Sequence, residues 1–322
     1  MANNILIFKF GALGDVIMAT PLIKAIIDSS KHNKYTLITT SPFVEIFKDW
    51  SQLSVKTIDN SSILANLRFV SRLRKESYSC LFDLQSNDRS RTICLLSGIR
   101  NSVGNHRFPY KYHPPLLWEG ETHIFQRMCD VLNSGGITVK KETPFLPASE
   151  KQQIKVKNWI SQHFKKETPF VLLHAGSSKL RPDKRWPYFE QLARALNNRG
   201  LGIVWVGGPD DFNINKRLCL KIGLNATNIF DVVELAELGR NANFAVTNDS
   251  GPMHILSASG IPVFGLFGPS SKNKNHALGQ KERALSIQDY KGLEHDVSEV
   301  DLSKLPLEYV IEQIFRDDLF SN

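Results

Sequence analysis

Short apolar runs that alternate with amphipathic stretches are the feature that most constrains the fold of this chain. The runs are rich in β-forming residues, and helical spacing follows them. The predicted strands are 5–10, 35–40, 53–58, 78–84 and 99–103, and then 170–174, 202–206, 244–247 and 262–267. This alternation predicts an α/β protein with parallel sheets covered on both faces, in two doubly wound halves. Ligands of such sheets bind at the carboxyl ends of the strands.

The length of 322 residues predicts about two domains. A linker is expected between Lys140 and Thr168, where a Pro-Phe-Leu-Pro segment precedes a polar helix. We therefore expect an N-terminal domain over 1–165 and a second domain over 166–304. The amphipathic stretch Leu305–Phe315 predicts a last helix within the segment 305–322.

Composition excludes several classes of protein. The chain is 42% apolar and 22% charged, which rules out a largely disordered chain. Its 4 cysteines show no C-x-x-C spacing, so we expect neither a disulfide framework nor a metal site. No apolar run is long enough to span a membrane, and Lys9 interrupts the first one, so we expect a cytoplasmic protein without a secretory signal. The net charge of +8 permits an anionic partner: nucleic acid, a lipid surface or a phosphorylated substrate.

The first loop after a predicted strand reads Gly11-Ala12-Leu13-Gly14-Asp15. Gly11 and Gly14 allow a tight turn and the close approach of a ligand. The loop is neither a dinucleotide fingerprint nor a P-loop. Asp15 has two interpretations: a capping aspartate of the next helix, or a carboxylate at a ligand site that accepts a proton from a hydroxyl nucleophile.

Two loops of the second half carry small, hydroxyl and charged residues. Ser177 and Ser178 follow a strand directly, and Lys184 lies shortly after them. Such residues suit a phosphate cradle, although an exposed basic loop has the same composition. In the next loop, Gly208 permits close approach, and Asp211 is a candidate for contact with ribose hydroxyls.

The segment from Thr247 to His254 is the most specific local signal for a diphosphate. It reads Thr-Asn-Asp-Ser-Gly-Pro-Met-His, so Ser250 and Gly251 stand at a predicted helix start. Free backbone amides at such a start favour anions. His254 would lie one turn into this helix, where a buried core histidine is the alternative interpretation. A further loop, Phe-Gly-Pro-Ser-Ser, begins at Phe267.

Together these motifs resemble glycosyltransferase family 9, the ADP-heptose:lipopolysaccharide heptosyltransferases. The matching pieces are F-K-F-G-A-L-G-D-V-I-M-A-T-P, H-A-G-S-S, K-R-W-P, V-G-G-P-D-D, T-N-D-S-G-P-M-H and L-F-G-P-S. The resemblance implies a GT-B fold, in which two Rossmann-like domains face each other across a cleft. It also implies that no metal cofactor is essential and that the last helix packs back on the N-terminal domain.

The resemblance implies roles for individual residues. Asp15 would deprotonate the acceptor hydroxyl, and the anomeric carbon would invert as ADP leaves. Lys184, helped by Ser177, Ser178 and the amides of Ser250 and Gly251, would stabilise the diphosphate. The donor would be ADP-L-glycero-D-manno-heptose. Further contacts with the substrates are expected from Gly11, Gly14, Gly208, Asp211, Asp249 and His254, of which Asp249 would contact the heptose and Asp211 the ribose.

The N-terminal half carries a set of basic residues, and the resemblance implies an anionic acceptor for it. Inner-core lipopolysaccharide acceptors, ending in Kdo or heptose, carry carboxylates and phosphates that arginine binds well. Arg89 and Arg91 follow a predicted strand and are the first candidates, whereas a solvated basic face is the alternative. Such a domain could also rest on the inner membrane leaflet, where the lipid acceptor lies.

Two other functions stay open from the sequence alone. A GT-B-like sugar-nucleotide enzyme of the epimerase type would need no lipid acceptor. A nucleic-acid-binding protein would fit the positive charge, but the basic residues are scattered and lack interleaved aromatic residues, so no nucleic acid is expected as a partner.

Overall fold

A computed structural model of the chain describes residues 3–58, 63–115, 118, 120–139, 143–290 and 301–316. The chain divides into two compact units, Met1–Phe145 and Leu146–Asn322.

The first unit is a parallel sheet with helices. Its strands are β1 (Asn4–Phe8), β2 (Lys34–Thr39), β3 (Leu53–Thr57), β4 (Cys80–Asp83) and β5 (Ser102–Val103). Its helices are α1 (Leu13–Asp28), α2 (Ile63–Lys75), α3 (Asp88–Ser97) and α4 (Ile124–Ser134), with a 3-10 segment at Ser41–Phe47. The strand order is β3-β2-β1-β4-β5. Because β1 is central, its apolar side chains are buried on both faces, and the loop that follows it opens at the middle of the sheet edge.

The second unit repeats this design. Its strands are β6 (Phe170–His174), β7 (Gly202–Trp205), β8 (Leu224–Asn225), β9 (Ala245–Asn248), β10 (Val263–Phe267) and β11 (Ala284–Ser286). Its helices are α5 (Glu150–His163), α6 (Phe189–Asn197), α7 (Phe212–Cys219), α8 (Val232–Gly239), α9 (Gly251–Ser257), α10 (Lys272–Asn275) and α11 (Leu307–Arg316). The order β11-β10-β9-β6-β7-β8 makes β6 and β9 central neighbours, and all pairings are parallel. The loops after β6 and β9 therefore start side by side.

The division between the units lies about twenty residues before the predicted boundary at 165. The Phe145 amide donates to Thr20 Oγ1 in the first unit (2.7 Å), whereas the Leu146 carbonyl accepts from Arg240 Nη2 in the second (2.7 Å). Helix α5 belongs to the second unit, because Lys155 Nζ lies 2.5 Å from Glu234 Oε2 on α8. The predicted domain limits of 1–165 and 166–304 are corrected accordingly.

The packing partner expected for the last helix also needs correction. The family resemblance implies that this helix packs back on the N-terminal domain. In the structure, Val310 and Ile314 of α11 are fully buried in the core of the second unit. Trp186 Nε1 donates to the Leu305 carbonyl (2.8 Å), and the Arg199 guanidinium lies 4.5 Å from the Phe315 ring centroid. The apolar stripe of α11 thus covers the sheet of its own unit.

Candidate functional site

The loop after β1 is held in shape by one side chain. Gln85 Oε1 accepts hydrogen bonds from the amides of Phe10 (2.8 Å) and Gly11 (3.2 Å). Gly11 has a φ of +152°, and a Cβ built there would lie 3.1 Å from the Phe43 ring. Position 11 therefore needs glycine both for its backbone conformation and for space. Gly14 follows as the second residue of α1.

Asp15 is the third residue of α1, and Ala12 occupies the N-cap position. The interpretation of Asp15 as the capping residue is therefore wrong. Its side chain is 31% exposed, and its carboxylate lies 4.0 Å from Lys9 Nζ. A carboxylate in the first turn of a helix is stabilised by the positive end of the helix dipole. The structure thus presents an ionisable, accessible oxygen at the central edge of the first sheet.

Sequence reasoning missed Lys9, which follows β1 and is only 3% exposed. Its ammonium group donates to the Leu84 carbonyl (3.3 Å). Burial lowers the pKa of Lys9, and the nearby carboxylates of Asp15 and Asp83 oppose this effect. Burial also raises the pKa of Asp83, which accepts a hydrogen bond from the Tyr110 hydroxyl. A buried polar network therefore lies directly behind Asp15.

The two candidate arginines differ in their surroundings. The Arg89 guanidinium lies 5.7 Å from the ring centroid of Phe10, and its Nη2 donates to Asn66 Oδ1 (2.8 Å). Arg91 forms an ion pair with Asp88 on α3 (3.2 Å). The structure thus places Arg89 against the residue that precedes Gly11, whereas Arg91 pairs along its own helix.

In the second unit, a lysine and a carboxylate meet at the ends of the central strands. Lys184 Nζ lies 2.5 Å from Asp249 Oδ2, and the Ser270 hydroxyl donates to the same oxygen (2.5 Å). The side chains of Lys184 and Asp249 are 18% and 7% exposed. This cluster joins three of the loops that the sequence singled out.

Asn248 fixes these loops to one another and was also missed. Its Nδ2 donates to the carbonyls of Ala175 (3.0 Å) and Gly176 (2.9 Å). Its Oδ1 accepts from the Trp186 amide (3.1 Å). The side chain is fully buried. Asn248 therefore positions both the loop after β6 and the segment that carries Lys184.

The two serines after β6 differ in availability. Ser177 is buried, donates to the Arg181 carbonyl (2.8 Å) and accepts from Arg185 Nε (3.1 Å). Ser178 is exposed, and its Oγ receives a long contact from the Leu180 amide (3.4 Å). The hydroxyl of Ser177 thus braces the loop, whereas contact of Ser178 with a ligand stays a prediction.

Asp211 is buried rather than open to a ribose. Its Oδ2 accepts from the Gly208 amide (2.9 Å) and lies 3.2 Å from His174 Nε2. Burial acts to raise the pKa of Asp211, but the hydrogen bonds and charges of His174, Gly208 and Arg185 outweigh it, so the pKa is lowered. A carboxylate committed to these partners favours a positioning role over the predicted ribose contact.

Helix α9 carries the remaining candidates. Ser250 is its N-cap residue and Gly251 its first residue, but the Ser250 side chain makes no capping hydrogen bond. Its Oγ instead lies 3.0 Å from His174 Nδ1. His254 is 6% exposed, in agreement with a core histidine, and its contact with a substrate stays a prediction.

The part of the chain that the structure describes contains neither a metal-binding cluster nor a membrane-spanning helix. No group of three or more His, Cys, Asp or Glu side chains in it could hold a metal ion. None of its helices combines the length and the apolar character needed to cross a bilayer.

Solved structures with the same fold include two transferases. One is a glycosyl transferase family 9 protein from Veillonella parvula, with a TM-score of 0.83 and 20% identity over 99% of this chain and 98% of that one. The other is ADP-heptose lps heptosyltransferase II from E. coli, with a TM-score of 0.76 and 20% identity over 97% and 98% of the two chains. Identity at this level shows the fold alone. The predicted α/β architecture of the GT-B type, with two Rossmann-like units, is thereby confirmed.

Sequence comparisons identify the family. Lipopolysaccharide heptosyltransferase 2 of Salmonella typhimurium is 30% identical over 130 residues, which are 38% of this chain and 37% of that protein. The chain therefore spans little more than a third of the length of this curated relative. The profile of "Glycosyltransferase family 9 (heptosyltransferase)" matches residues 66–302, which include Lys184 and Asp249 and begin after Asp15. The chain belongs to glycosyltransferase family 9.

Proposed function

We propose that this protein is an inverting glycosyltransferase that moves a heptose from ADP-L-glycero-D-manno-heptose to a hydroxyl of the lipopolysaccharide inner core. Membership in glycosyltransferase family 9 supports the reaction class. The names of similar proteins support the sugar, since they include lipopolysaccharide heptosyltransferase 2 and an ADP-heptose lps heptosyltransferase. The acceptor sugar is Kdo or heptose in this proposal.

Asp15 is the proposed general base, and its placement is the observation that carries the mechanism. It is a partly exposed carboxylate in the first turn of α1, with a buried lysine behind it. Asp15 takes the proton of the acceptor hydroxyl while the oxygen attacks the anomeric carbon. The bond between that carbon and the phosphate oxygen breaks, and ADP leaves with the bonding electrons. Attack opposite the leaving group inverts the anomeric configuration.

Lys184 is the proposed partner of the departing diphosphate. Its ammonium group lies at the carboxyl ends of the central strands and is held by Asp249. A preorganised cation stabilises charge that develops in the transition state, because it need not reorient as the bond breaks. Ser178 is the exposed hydroxyl of the adjoining loop and adds a donor to the phosphates. This binding mode requires no metal cofactor.

Arg89 is the proposed contact for the anionic acceptor. Its guanidinium lies beside the Gly11 loop, and arginine pairs well with carboxylates and phosphates. We further propose that the protein works in the cytoplasm and meets its lipid-linked acceptor at the inner membrane leaflet.

Turnover with defined substrates tests this function. Purified protein is incubated with ADP-heptose and a lipid acceptor ending in Kdo or heptose. ADP release and a mass gain of one heptose on the acceptor are expected, and NMR of the product gives the anomeric configuration. Asp15→Asn is expected to lower kcat at least about a hundredfold. Asp28→Asn, at the exposed end of the same helix, is the matched control and should retain activity.

The same assay distinguishes the proposed transferase from the alternative functions and mechanisms. Donor consumption without an acceptor would support the epimerase-type enzyme instead. Full turnover by Asp15→Asn would refute the base assignment, and retention of the donor's anomeric configuration would refute inversion.

A further inference from the structure

His174 lies in a buried hydrogen-bonded chain that the proposed reaction does not use. The residue ends β6 and is 1% exposed. Each ring nitrogen has a partner: Nε2 lies 3.2 Å from Asp211 Oδ2, and Nδ1 lies 3.0 Å from Ser250 Oγ. Asp211 is buried and Ser250 is half-buried. This hydrogen-bonded series therefore runs from buried Asp211 to Ser250, which lies at the sheet edge where the nucleotide-sugar donor is proposed to bind.

The carboxylate at the inner end sets the direction of the hydrogen bonds. Ionised Asp211 can only accept, and it already accepts from the Gly208 amide. His174 must therefore donate through Nε2, and when the ring carries this one proton, Nδ1 is an acceptor. The proton that Nδ1 accepts comes from the Ser250 hydroxyl.

The single proton of Ser250 is thus used inside the protein. Besides His174 Nδ1, the carbonyl of Asn248 is the other acceptor within reach, at 3.2 Å from Ser250 Oγ. Both acceptors lie on the protein side, and the hydroxyl does not cap its own helix. With that proton assigned, no described residue donates to Ser250 Oγ. Its lone pairs can therefore accept from a hydrogen-bond donor outside the protein.

We infer that Ser250 recognises a hydroxyl group of the nucleotide sugar by accepting its hydrogen bond, and that His174 is the positioning residue that keeps the Ser250 proton turned inward. This inference rests on the proposed function, because it assumes a nucleotide-sugar donor. The ionised oxygens of a diphosphate are acceptors only, so they would be poor partners for the Ser250 side chain. The recognised hydroxyl belongs to the ribose or to the heptose.

Calorimetric binding to matched ligands tests the inference. The ligands are ADP, 2′-deoxy-ADP, 3′-deoxy-ADP and ADP-heptose, and the variants are Ser250→Ala and the control Ser161→Ala on the exposed face of α5. If the partner of Ser250 is a ribose hydroxyl, Ser250→Ala weakens the binding of ADP about fivefold and leaves the binding of one deoxy analogue unchanged. If the partner is a heptose hydroxyl, Ser250→Ala weakens the binding of ADP-heptose by a similar factor and leaves the binding of ADP unchanged. Equal weakening of all four ligands, or of none, overturns the inference.

Two variants of His174 separate positioning from folding. In His174→Asn an amide oxygen can replace Nδ1 as the acceptor, so the discrimination between hydroxyl and deoxy ligands should persist. In His174→Phe only the longer contact with the Asn248 carbonyl (3.2 Å) remains to hold the Ser250 proton inward, so the ratio of the two dissociation constants should fall toward one. Equal ratios in the two variants would contradict the role of His174. Failure of the wild-type protein to bind ADP would instead remove the proposed function itself.

Discussion

Gly176→Ala gives the sharpest test of the geometry around the second-unit site. A Cβ at position 176 would lie 1.7 Å from Asp211 Oδ1, 2.4 Å from its Cγ and 3.1 Å from His174 Nε2. The Asp211 carboxylate cannot remain in place beside an alanine. It would have to give up its contacts with His174 and with the Gly208 amide.

The expected cost follows from these losses. Overpacking a buried site costs about 1–3 kcal/mol, and each buried group left without its partner costs about 1–3 kcal/mol. The sum is on the order of 4 kcal/mol for the second unit. For a unit of this size, about 1 kcal/mol lowers Tm by roughly 2–4 °C. The Tm of the second unit should therefore fall by on the order of 10 °C.

Differential scanning calorimetry of the full chain measures this shift. Gly208→Ala is the matched control, because a Cβ at 208 would meet no atom within 4 Å. Its Tm should change by only a few degrees. In an Asp211→Ala background the steric conflict is absent, so adding Gly176→Ala should cost less than about 1 kcal/mol. An unchanged Tm in Gly176→Ala, or full additivity of the two substitutions, would show that Asp211 does not occupy the space beside position 176.

Three further predictions concern charged groups. Lys9→Met should lower kcat/KM at least about tenfold, because it removes a buried charge beside Asp15, and should also lower Tm, because it leaves the Leu84 carbonyl without its donor; an unchanged kcat/KM would contradict this. Because burial raises the pKa of Asp83, the folded state binds more protons, and the unfolding free energy should fall as the pH rises from about 4 through that raised pKa. In Asp83→Asn, denaturation curves should show no such fall of the unfolding free energy with rising pH. If the fall persists unaltered in this variant, Asp83 is not its source. Lys184→Met should weaken the binding of ADP about 10- to 100-fold, whereas the exposed Lys179→Met should leave that binding unchanged. Equal effects of the two substitutions would contradict the special role of Lys184.

The positions of the candidate loops could be predicted from the sequence. Glycine and small polar residues directly after apolar runs mark strand ends, and parallel strands bring those ends to one edge. The strand predicted over 170–174 has the observed limits. Asp15, Lys184 and Asp249 therefore lie at sheet edges, as expected.

The contacts behind these residues could not be predicted. His174 is 37 residues from Asp211 and 76 from Ser250 along the chain, and a histidine at the end of a strand gives no sign of either partner. Lys9 resembles an exposed interruption of an apolar run, although it is buried. The amphipathic helices α5 and α11 illustrate the same limit, because an apolar stripe shows that a helix packs but not on which unit.

The lipopolysaccharide made by cells gives a direct test of the proposed heptose transfer with Asp15 as the base. Cells that lack this protein are complemented with the wild type, with Asp15→Asn or with Asp28→Asn, and the core oligosaccharides are compared by mass spectrometry. Cores short by a heptose and its extensions are expected in the deletion and with Asp15→Asn, and full cores are expected with the wild type and with Asp28→Asn. Full cores with Asp15→Asn, or in the deletion itself, would contradict the proposed transfer.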